Sequence, residues 1–118
     1  MLEEDWIMRQ INDMVQFLAG TILRKSTTRY EPGQVETADD RLHARLTDLL
    51  DEGRVDEADR LLRAQADPHD PRYLELVVDF YDRLNHMSDT ALEAAGYERD
   101  TAEEGLRQAA RDSGIPFL

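Results

Sequence analysis

The chain contains no cysteine. That removes disulfides, thiolate nucleophiles and cysteine-ligated zinc together, and it suits a reducing compartment. No run approaches the ~18 consecutive apolar residues of a membrane-spanning helix. Strand signals are scarce: no stretch alternates with period two, and neither Asn-Gly nor Asp-Gly occurs. There is no Gly-rich phosphate loop, no His-Glu-x-x-His and no nucleophile elbow. Ser26, Ser88 and Ser113 lie where helix caps or loops are expected, which accounts for their hydroxyls. The opening Met1-Leu-Glu-Glu-Asp5 is acidic where a secretory signal is basic, and no small-residue cleavage site follows. A cytoplasmic location is the expectation.

Negative charge, by contrast, is abundant. The formal charge of the 118 residues is -12, and its placement is uneven. In residues 1–30 Glu3, Glu4, Asp5 and Asp13 are cancelled by Arg9, Arg24, Lys25 and Arg29, so the whole excess sits on residues 31–118. Such a body repels phosphate backbones and anionic lipid, so neither nucleic acid nor membrane is expected as a partner. Solubility explains the acidity most simply, and an acidic surface for a basic partner is the second reading.

Helical punctuation is legible along the whole chain, and its length fits one domain. An amphipathic helix is expected over 3–25, with Ile7, Ile11, Met14, Val15, Leu18 and Ile22 on one stripe. Residues 26–36, polar and holding Pro32-Gly33, read as a long loop or hinge. A helical body over 37–114 follows. Thr37 is placed to cap a helix bearing Leu42, Leu46, Leu49 and Leu50, which ends at Gly53. A third helix with Val55, Ala58, Leu61 and Leu62 inside must run antiparallel to it, because the connection is so short. Asp67-Pro68 stops it, and Asp70 with Pro71 is placed to start a fourth. That helix carries Tyr73, Leu76, Val77, Phe80 and Leu84 on one face and Leu74, Val78 and Tyr81 around it, which marks it as central. A short fifth helix is expected from a Ser88 cap to Gly96, and a sixth from an Asp100/Glu103 capping box to Gly114. The fold class is therefore all-α, a single domain of five or six helices.

Two constellations compete as functional sites. Glu75, Asp79, Asp82 and His86 fall within about 60° of arc on the fourth helix, opposite its apolar face. Three carboxylates and an imidazole suit a divalent ion if a second helix adds ligands, but the Glu-x-x-His pair of di-metal bundles is missing. A solvated outer face is the simpler expectation, with no metal and no cofactor. Asp39 with His43 takes the same reading, and His69 reads as a surface residue.

The other constellation is on the first helix. Trp6 and Phe17 lie together about 100° away from the apolar stripe on one flank, with Gln10 and Thr21 filling the space between flank and stripe. Either neighbouring helices wrap far enough to cover the flank, or Trp6, Gln10, Phe17 and Thr21 form an interface, since large aromatics dominate small hot spots. A two-fold homodimer is the simplest form of the second. The same helix is a poor membrane-surface element, because its polar side holds Asp5 and Asp13 with only Arg9.

Two resemblances accompany these readings. The run Glu52-Gly-Arg-Val-Asp-Glu-Ala58, then Leu61-Leu62 and Asp67-Pro68, resembles the second half of a tetratricopeptide repeat. The five-residue step from Gly53 to Ala58 matches that repeat. The ten residues from Ala58 to Pro68 fall two short of it, and no second copy follows, so the segment reads as a repeat-like hairpin. Over most of its length, through Glu4-Asp-Trp-Ile-Met-Arg-Gln-Ile11, Leu50-Asp-Glu-Gly-Arg54, Asp70-Pro-Arg-Tyr-Leu-Glu75 and Glu104-Gly-Leu106, the chain resembles a family of small helical proteins of unknown function from Gram-positive bacteria. That resemblance implies an intracellular bacterial protein and carries over no catalytic or binding residue. The expected function is a non-catalytic interaction or assembly module that pairs through its first helix. The alternative is a divalent-metal-binding or enzymatic protein using Glu75, Asp79, Asp82 and His86.

Overall fold

A computed structural model describes residues 2–115 and 117. Six α-helices make up the fold, and no strand occurs among the described residues. They are α1 (Leu2–Phe17), α2 (Ala38–Asp51), α3 (Val55–Gln65), α4 (Tyr73–Asn85), α5 (Asp89–Ala95) and α6 (Arg99–Asp112). α4 is the centre, packed by α1, α2 and α6, and ten of its 13 residues are buried. Only Glu75, Asp82 and Arg83 on it stay partly open to solvent. An apolar arc that wide can be satisfied only by neighbours on several sides, so the sequence pattern of this helix predicts its position.

Local chemistry starts and stops most helices where expected. Thr37 caps α2 in a reciprocal box: the Asp40 N–H donates to Thr37 Oγ1 at 3.2 Å and the Thr37 N–H to Asp40 Oδ2 at 3.0 Å. Ser88 caps α5 through the Ala91 N–H. Gly96 ends α5 in the left-handed region at φ +68°, which a glycine reaches without a Cβ penalty. Two starts differ from expectation. α4 begins at Tyr73, with Pro71 in the preceding turn, where Asp70 accepts from the Arg72 N–H. α6 begins at Arg99 after Glu98, which leaves Asp100 inside its first turn. The Tyr97 N–H bonds back to Leu92 at the end of α5, and buried Tyr97 and Arg99 then fix the α6 start ahead of any capping box.

The end of α1 also departs from simple periodicity. Leu18–Ile22 form a π-turn, closed by the Leu23 N–H on the Leu18 carbonyl. Bonding five residues back adds a residue to the turn, so Leu23 packs toward the core where α-helical geometry would place Ile22. Ile22, expected on the apolar stripe, is exposed. The helix therefore stops at Ile22 rather than Lys25. Arg24 follows at φ +56°, the one non-glycine residue with positive φ among those described. That conformation reverses the chain, and the Lys25 N–H closes it on the Ala19 carbonyl. The segment Lys25–Tyr30 then runs back across α4.

A buried acid ties α3 to the rest. Asp59 accepts from Tyr81 Oη at 2.7 Å, Tyr97 Oη at 3.1 Å and Arg63 Nε at 3.1 Å. Gly105 of α6 lies so close to the Tyr81 hydroxyl and the Arg63 guanidinium that no Cβ fits there.

The left-handed residue at the end of α1 can be tested directly. A β-carbon at that φ costs roughly 1–2 kcal/mol, partly offset by glycine's greater unfolded-state entropy. Arg24→Gly should raise stability by roughly 0.5–1 kcal/mol, read as a higher urea midpoint at unchanged slope.

Candidate functional site

The flank of α1 stands open. Trp6 is 56% and Phe17 42% exposed, Gln10 is half-buried, and Thr21 is exposed in the π-turn. Below them Ile11, Met14, Val15 and Leu18 are buried against α4 and α6. Of the two alternatives for the flank, the neighbours do not wrap over it: they cover Ile11, Met14, Val15 and Leu18 and stop short of the aromatics. Phe117 was not anticipated. It comes up from beyond α6 and packs edge-to-face on Phe17, with centroids 5.9 Å apart. Beside this pair Gln10, Asp13, Met14, Arg107 and Phe117 line a shallow cleft of about 220 Å³. Nothing in the sequence pairs positions 17 and 117, since the contact depends on where α6 ends.

The carboxylate stripe of α4 is not the solvated face its spacing predicts. The returning Lys25–Tyr30 segment lies over it. Asp79, only 2% exposed, accepts from the Tyr30 N–H at 2.7 Å, Arg83 Nε at 2.6 Å and His43 at 3.1 Å. Thr28 Oγ1 donates to Asp82 at 2.7 Å, and Lys25 Nζ reaches Glu75 at 3.3 Å. His86 is exposed at the end of the stripe, with Nδ1 2.8 Å from the Asp82 carbonyl. Residues 26–36 are therefore no free hinge in their first half: Thr28 and Tyr30 are docked on α4, while 31–36 are exposed.

Tyr30 is the pin of this strap. Its ring is buried, stacks on His43 at 4.6 Å, and has the Arg72 guanidinium 4.1 Å from its centroid. Its hydroxyl donates to Asp40 at 2.6 Å. So His43, expected on a solvated face with Asp39, is turned inward, whereas His69 is on the surface as expected. Tyr30 was legible in one respect, as the single aromatic in the polar loop. Its partners were not.

The electrostatics follow from these contacts. Burial pushes the Asp79 carboxyl up, but the bonds from His43, Arg83 and the Tyr30 N–H outweigh it and hold it below the ordinary carboxylate range. The bond from Tyr30, with those from Thr37, lowers Asp40. Burial, then the Asp40 contact, raises the Tyr30 phenol. At the rim Asp39 is pushed up to about 6 by its hydrogen bond with the Asp70 carboxyl and by burial, while Asp70 is lowered.

Chemically this stripe is largely engaged, with Asp82 Oδ1 left without a hydrogen-bond partner. Glu75, Asp79 and Asp82 each already accept from a cation, a hydroxyl or an amide. Among the described residues no group of three or more His, Asp or Glu side chains is arranged to hold a metal ion. A cleft of about 260 Å³ remains between the strap and the end of α4, lined by Thr28, Arg29, Asp79, Asp82, Arg83 and His86.

Two outcomes should follow. Asp79→Ala leaves the Tyr30 N–H and His43 without their acceptor and should cost about 3 kcal/mol, read by urea unfolding. Asp79 titrates below its unfolded value of about 3.9, so its contribution is complete above that pH and lost as pH falls through the folded value. The urea midpoint of the wild type should thus drop below about pH 4 more steeply than that of Asp79→Asn. Asp39 works in the opposite sense. Its raised value gives stability that is present below about pH 4 and lost as pH rises through about 6. Asp39→Asn should remove that decline between pH 4 and 6.5, and an unchanged profile would exclude the raised value at Asp39.

No helix of the described residues is long and apolar enough to cross a membrane. No curated protein and no solved structure matches the chain. A family model matches residues 1–114, and by that match the chain belongs to DUF6483, a family of unknown function.

Proposed function

We propose that this protein is a non-catalytic interaction module of the bacterial cytoplasm that assembles with a second copy of itself through α1. The observation that carries the reading is the exposure of Trp6 and Phe17 on one flank of a helix whose Ile11, Met14 and Val15 are buried. Solvating a tryptophan and a phenylalanine on one helix flank gains a monomer nothing, whereas burying them against a partner releases apolar surface from water. Charge opposes a second copy less here than elsewhere, since α1 itself carries only Glu3, Glu4, Asp5 and Asp13 against Arg9. Residues 1–30 are formally neutral, while every other face belongs to a body that carries -12 and repels its like.

The repeat-like α2–α3 hairpin fits an interaction module without defining a partner. Gly53 turns it at φ +77° and Ala58, fully buried, lets the two helices approach. The metal-dependent or enzymatic reading gains less support, because the side chains it needs on α4 are engaged by Lys25, Thr28, Tyr30, His43 and Arg83.

Molar mass by light scattering across a concentration series tests the proposal. The wild type should be a dimer, and Trp6→Ala/Phe17→Ala a monomer of unchanged helicity. A wild type that is monomeric at every concentration would end the self-association reading.

A further inference from the structure

We draw no further inference here: the strongest candidate, the cleft of about 460 Å³ between α1, α5 and the start of α6 that carries Glu93, Glu98 and Asp100, is an acidic cluster beside a helix N-terminus, and no second feature among the described residues points to a ligand for it.

Discussion

A carboxylate placed in the middle of the most buried helix has to be surrounded by donors. Asp79 is that group, and much of the architecture around α4 answers to it. Its oxygens are shared among a guanidinium from its own helix, an imidazole from α2 and a backbone N–H from the strap. Leaving such a charge unpaired in the interior costs several kcal/mol, so the donors are effectively obligatory once the helix is central. The Tyr30 amide reaches Asp79 only if the chain turns back at Arg24. The positive φ there, the π-turn before it and the docking of Thr28 and Tyr30 thus form one linked arrangement.

The same logic recurs on the far side of α4. Asp59 is 3% exposed and collects two phenol hydroxyls and a guanidinium from three different parts of the chain. Arg99 is the basic counterpart, buried at the start of α6 and donating to the carbonyls of Asn85 and Met87. Each of these centres joins elements that apolar packing alone would let slide. Buried ion pairs add little net stability over apolar replacements, so their plausible return is a unique arrangement of six short helices. For a chain of -12, directing some acids inward onto specific donors also lowers the negative charge left at the surface.

The open flank of α1 contrasts with this economy. Most large apolar side chains are taken up by the core, yet Trp6 and Phe17 stay in water on one flank of a helix, as Ile22 and Val35 do singly beyond it. The DUF6483 match spans residues 1–114 and so includes the whole of α1 as well as the α4 network.

What the sequence determined by itself was whatever depends on near neighbours along the chain. Helix identity, the Thr37 and Ser88 caps, the Gly53 and Gly96 ends and the centrality of α4 all follow from spacings of a few residues, because hydrogen bonds and side-chain faces repeat locally. The tight step between Gly53 and Val55 likewise forced α2 and α3 together. Tertiary structure decided what depends on distant partners. A wheel places Glu75, Asp79 and Asp82 opposite the apolar face and reads them as solvated, but it cannot know that residues 25–30 return from about 50 positions away to cover them. Nor can it show that a π-turn moves Leu23 into the place of Ile22, or that α6 delivers Phe117 to Phe17. Periodicity reports which way a side chain leaves its own helix; what it then meets is set by chain reversals whose geometry lies outside any single helical repeat.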